Sequence, residues 1–142
     1  MIKKLVTIFC ISAFQFIGFS QTDRLFESLE AALQVNPDSV YRLDLSRASL
    51  KAVPTEIFQF KNLRELNLSK NKLTDLPNNF VFANLEVLNL TKNKFETFPQ
   101  VICKNTNIKQ LFLGKNHISE IPECIGDSVS YTHLLAHETS LH

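Results

Sequence analysis

Four cationic side chains recur at nearly even intervals along the chain: Arg47, Lys70, Lys92 and Lys115. Lys72 and Lys94 stand two places after the middle pair. Gathered on one surface, such a column would concentrate an anionic partner through its local potential. Screening by solvent also makes like charges cheap at a surface, and Asp75, Glu96 and Glu120 follow closely enough to offset the field. Solubility alone therefore accounts for the column, and anion capture is the alternative. Other chemistry-bearing residues fail on their pattern. Gly114-Lys115 lacks the upstream glycine of a phosphate loop. His133, His137 and His142 crowd the C-terminal tail and suggest no metal site. Asn67-Leu68-Ser69 and Asn89-Leu90-Thr91 match the glycosylation acceptor pattern, but both fall in alternating apolar segments that read as strands rather than loops. No catalytic, cofactor or metal constellation emerges, and the chain is expected not to be an enzyme.

The elements that place the lysines are written into a repeated phrase. NLSKNKLTDLP spans 67–77 and NLTKNKFETFP spans 89–99. Aligned from Val40, Leu63, Leu85 and Ile108, the chain repeats in steps of 23, 22 and 23 residues. The fourth position is Leu43, Leu66, Leu88, Leu111; the sixth is Leu45, Leu68, Leu90, Leu113. The ninth is Ala48, Asn71, Asn93, Asn116, and the eleventh is Leu50, Leu73, Phe95, Ile118. Val53, Leu76, Phe98 and Ile121 each precede a proline: Pro54, Pro77, Pro99, Pro122. Alternation at positions four to six predicts a short half-buried strand. One such coil cannot close a core alone, so neighbouring coils must stack.

This pattern, LxxLxLxxNxLxxLPxxI, resembles the leucine-rich repeat family from Val40 to about Asp127. The resemblance implies an α/β solenoid: a short parallel β-sheet on the concave face, a more irregular outer side, and four coils at 40–62, 63–84, 85–107 and 108–127. It also implies a structural ladder, in which buried Asn71, Asn93 and Asn116 bond backbone groups between coils. Ala48 breaks that ladder and marks an edge coil.

A solenoid needs covers at its ends. Residues 21–39 are expected to form the first, an N-terminal capping helix over Asp23–Val35 that starts at Thr22-Asp23, presents Leu25, Phe26, Leu29, Ala32 and Leu33, and stops at Asn36-Pro37. Ahead of it, a basic start at Lys3-Lys4, an apolar run over 5–19 and the small-residue exit Gly18-Phe19-Ser20 read as a signal peptide, residues 1–20. The run is shorter than the ~20 residues of a membrane span. The mature chain is thus expected to be secreted, periplasmic or at the cell surface, without a membrane span. It would carry 13 Lys and Arg (15 less Lys3 and Lys4) against 14 Asp and Glu, a balance that argues against a nucleic-acid partner. At the other end, residues 129–139 are similar to a translated sequencing adapter, VSYTHLRAHET, with Leu135 in place of the arginine. Residues 128–142 are accordingly expected to be a non-native tail on a fragment; the alternative is a fifth coil from Tyr131. Cys103 and Cys124 are 21 residues apart on neighbouring coils. An exported protein could join them, but their offset within the repeat is expected to hold the α-carbons beyond ~7 Å, leaving buried free thiols.

In the family, partners usually meet the concave face. Position three is Arg42, Glu65, Val87, Gln110, and position five is Asp44, Asn67, Asn89, Phe112. Ser46, Ser69, Thr91 and Gly114 at position seven should face the same way. Val87 and Phe112 are apolar where solvent is expected, and such residues anchor protein contacts or are merely scattered surface apolar residues. The resemblance implies non-catalytic binding, most often to another protein, and with the signal-like start the chain is expected to be an exported binding module. Alternatives are the targeting arm of a larger enzyme, or a binder of anionic glycan through the lysine columns.

Overall fold

Strands form where the alternation predicts them. The computed structural model describes residues 24–126; the signal-peptide and tail expectations lie outside these residues. Five strands, β1 (Leu25–Phe26), β2 (Arg42–Asp44), β3 (Glu65–Asn67), β4 (Val87–Asn89) and β5 (Gln110–Phe112), pair in parallel in chain order. The pairing is in strict register, with Leu43 opposite Leu66, Leu66 opposite Leu88 and Leu88 opposite Leu111. Identical repeat positions therefore become rows across the sheet.

Parallel neighbours require a crossover, and here each crossover is one circuit of the coil. Prolines set the return path: Pro54 and Pro99 immediately precede 3₁₀ helices at Thr55–Gln59 and Gln100–Lys104. Proline supplies a fixed φ and lacks the N–H that a first turn leaves unused. The circuit is filled from both sides. Leu43, Leu66, Leu88 and Leu111 are each at most 1% exposed, and Leu68, Leu73, Leu90, Phe95, Ile57, Phe80 and Ile102 are buried behind them. Each such side chain contributes about 1.5–3 kcal/mol of burial. On the outer side Phe82 stacks on Phe58 and meets Phe80 edge-on, with ring centroids 5.7 and 5.2 Å apart.

Buried leucines would leave the turn backbone without water, and the asparagines supply its partners. Asn93 Oδ1 accepts the Leu73 N–H of the preceding coil at 3.0 Å. Its Nδ2 donates to the Leu68 and Leu90 carbonyls, both at 2.9 Å. Asn71 does the same for Leu50, Leu45 and Leu68, and Asn116 for Phe95, Leu90 and Leu113. A second set went unread in the sequence. Asn62, Asn84 and Asn107, one place before each coil, donate to the Asp38, Lys61 and Ala83 carbonyls. Asn105, 4% exposed, accepts from Phe82 N–H and donates to the Phe80 and Val101 carbonyls. No buried side-chain nitrogen or oxygen among the described residues lacks a partner.

Two expectations change. The N-terminal cover is not one helix over Asp23–Val35. Leu25–Phe26 instead extends the sheet to five strands, pairing with Arg42–Leu43, and helix α1 is confined to Leu29–Leu33, capped by Ser28. The Ser28 hydroxyl accepts Ala31 N–H at 3.2 Å, a local N-cap that ends the strand. Ala32 and Phe26 reach the core, whereas Leu25 and Leu33 are exposed. Second, Cys103 and Cys124 are joined by a disulfide, with α-carbons 5.7 Å apart. Cys103 lies in the 3₁₀ helix of one coil and Cys124 in a turn of the next; that turn absorbs the two-residue offset. Neither cysteine is buried.

Candidate functional site

Because the strands share one register, side chains at positions three and five line a common concave surface. A shallow groove of about 220 Å³ runs over it, lined by Leu25, Arg42, Asp44, Glu65, Asn67, Val87, Asn89 and Phe112 among others. Its two halves differ. Over β2 and β3 the lining is polar and internally paired: Arg42 Nε donates to Glu65 Oε2 at 2.8 Å, and Asn67 Nδ2 donates to Asp44 Oδ2 at 2.9 Å. Over β4 and β5, Val87 and Phe112 are half-buried. Val87 is opposite Gln110 and Asn89 opposite Phe112, so the two apolar side chains are diagonal neighbours.

Residues 38–95 match the family model for the leucine rich repeat. These residues are leucine-rich repeats, and the fold is that of a leucine-rich repeat solenoid. Over 79% of its length the chain is similar to a leucine-rich repeat protein of Leptospira interrogans, at 32% identity and a TM-score of 0.59. It covers 35% of that protein's chain. Internalin C2 from Listeria monocytogenes shares the fold at 17% identity and a TM-score of 0.52, over 75% of this chain and 57% of its own. This chain thus spans about a third of the Leptospira protein and just over half of the internalin. Comparison with curated proteins gives no match. Leucine-rich repeats are protein–protein interaction modules and generally non-catalytic.

Within the repeats, position five has a structural task beside its exposure. Asn67 Oδ1 accepts Ser69 N–H and Asn89 Oδ1 accepts Thr91 N–H, each at 3.0 Å. Asp44 Oδ1 accepts Ser46 N–H at 2.7 Å. These bonds turn the chain out of β2, β3 and β4. They also occupy the two asparagines of the glycosylation pattern. Position seven departs from expectation: Ser69 and Gly114 are buried, and Ser46 and Thr91 are only half-exposed. The turn that follows each strand draws this position toward the body of the coil.

Position eight behaves differently again. Arg47, Lys70, Lys92 and Lys115 are all exposed, and each sits in the left-handed region, with φ between 57° and 58°. A side chain there costs roughly 1–2 kcal/mol in a conformation that glycine adopts freely. The backbone explains why the conformation persists: Arg47, Lys70 and Lys92 N–H groups donate to the Ser69, Thr91 and Gly114 carbonyls of the next coil. The sequence showed the column of cations but not its left-handed geometry. After Lys70, Lys92 and Lys115 the asparagine that follows, bonded to both coils, is the signal that could have revealed it; Arg47 takes the same geometry before Ala48. Among the described residues no group of His, Cys, Asp or Glu could hold a metal ion, and no helix is long and apolar enough to cross a membrane.

Burial would raise the Asp44 carboxyl, but the Ser46 backbone and side chain, the Asn67 amide and the Arg47 charge together outweigh it and hold its pKa below the ordinary value. A lowered folded-state pKa means stability that is present above the unfolded pKa and lost as pH falls through the folded value, below about pH 4. Asp44→Asn keeps the oxygen for the Ser46 turn but removes the charge and the acceptor for Asn67. Urea unfolding at pH 7 and pH 3 is expected to show the variant less stable at pH 7, with the gap to wild type closing at pH 3. A gap of equal size at both pH values contradicts this role for the carboxylate.

Proposed function

We propose that this chain is an exported binding module that holds another protein against its concave face. The observation that carries the reading is the pair Val87 and Phe112, two apolar side chains left half-buried as diagonal neighbours in a groove whose polar walls over β2 and β3 are already paired. A partner's apolar side chain placed there would remove both from water. The surface is preformed on a rigid stack of coils, so association orders little of this chain and keeps the entropic cost low.

Export is supported by the signal-like pattern of residues 1–20 and by the Cys103–Cys124 disulfide, since such bonds persist in oxidising compartments. Residues 1–20 fused to alkaline phosphatase, which is active only after its own disulfides form, are expected to give activity in bacterial cells. Loss of that activity on Ile8→Lys would locate the signal in the apolar run, and an inactive fusion rejects export.

Binding is tested with random twelve-residue peptides displayed and selected on the immobilised chain. Recovered peptides are expected to bind Phe112→Ala at least about ten-fold more weakly, in line with the loss of a central apolar anchor. Thermal melting confirms that the variant is folded. Unchanged affinity for Phe112→Ala and Val87→Ala rejects the concave face as the contact.

A further inference from the structure

The two rims of the concave face use their charges in opposite ways. On the entry side, immediately before β2 to β5, stand Tyr41, Arg64, Glu86 and Lys109. These satisfy one another: Lys109 Nζ lies 2.8 Å from Glu86 Oε2, and the Arg64 guanidinium sits 5.7 Å from the centre of the Tyr41 ring. On the exit side, three residues beyond each of the same strands, stand Arg47, Lys70, Lys92 and Lys115. Arg47 has the Asp44 carboxylate nearby. Among the described residues, Lys70, Lys92 and Lys115 form no ion pair, and neither do Asp75, Glu96 or Glu120, the acids that were expected to offset them.

The backbone makes this rim more telling than an ordinary scatter of lysines. Position eight is left-handed in all four coils, where glycine or asparagine would fit with least strain. A long cation fills it each time. These cations are exposed and stand three residues beyond the strands whose side chains line the groove that holds Val87 and Phe112.

We infer that the exit rim and the Val87–Phe112 patch together receive one extended protein segment carrying a run of Asp or Glu beside an apolar side chain. The inference rests on the concave-face reading above and specifies its partner. Strands lie about 4.8 Å apart, so four cations span roughly 14 Å, the reach of about four extended residues. Phe112 and Lys115 belong to the same coil, which places the apolar anchor at one end of that run. An anionic polysaccharide would meet the cations but leave the apolar patch uncovered, and the chemistry therefore favours a peptide.

The peptides recovered by display on the full chain test this directly, together with the triple variant Lys70→Gln, Lys92→Gln, Lys115→Gln and with dextran sulfate as a second probe. The expected pool is enriched in Asp and Glu next to an apolar residue. Its members should bind the triple variant at least about ten-fold more weakly and lose affinity as salt rises. Peptides that depend on Phe112 but show no acidic enrichment, and bind the triple variant as well as wild type, overturn the acidic partner while the concave-face reading stands. Peptides indifferent to both Phe112→Ala and the triple variant overturn both. Dextran sulfate binding that needs the lysines but not Phe112, with no acidic peptides recovered, overturns the inference in favour of a glycan.

Discussion

Three amides, buried on the second and third coils and half-buried on the fourth, hold this solenoid in step. Asn71, Asn93 and Asn116 each accept a backbone N–H from the coil before and donate to carbonyls on two coils at once. Leucine burial supplies most of the stabilising free energy, but it is non-directional and would tolerate a slipped coil. The amides would not. A shift of one residue would put an apolar side chain where three backbone groups need partners, and each buried group left unpaired costs about 1–3 kcal/mol. The hydrophobic spacing fixes the period, and the asparagines fix the phase.

Everything on the concave face follows from that phase. With the coils in step, Arg42 stands beside Glu65 and Asp44 beside Asn67, and the polar half of the groove pairs within itself. The last two strands carry Val87 and Phe112 instead, apolar side chains that remain half-buried. Position eight is left-handed in all four coils, before Ala48 as well as before each asparagine, so a row of cations is presented along one edge of the sheet. Adhesive potential and structural constraint are thus adjacent letters of the same repeat: Lys92 meets solvent while Asn93 holds the coil.

The repeat was legible in the sequence because its signals reinforce one another. Leu43, Leu66, Leu88 and Leu111 recur at one spacing, a proline closes each buried run, and the asparagine sits between them. Features that appear once were harder to read. Leu25 and Phe26 carry an apolar pair that suits a helix face as well as a strand, and only the available edge of β2 decides between them. Asn105 carries no signal in the sequence because its partners at Phe80 and Phe82 lie on the preceding coil. The Cys103–Cys124 bridge depends on a turn whose path no spacing rule specifies. Position seven was misjudged for a related reason: strand alternation was carried past the point where the turn begins. Repetition announces itself in the letters, whereas the edges and turns depend on long-range contacts.

Hydrogen–deuterium exchange on Asn93→Ala tests the ladder most directly. The Leu73 amide, which loses its Oδ1 acceptor, is expected to exchange much faster than in the parent, and the Leu50 amide, held by Asn71, is expected to change only with global stability. Urea unfolding should show a loss of about 2–4 kcal/mol, reflecting several buried backbone groups left unpaired. If Leu73 remains as protected as before and stability falls by less than about 0.5 kcal/mol, a surface-like cost, then leucine packing alone sets the register and the amide ladder does not.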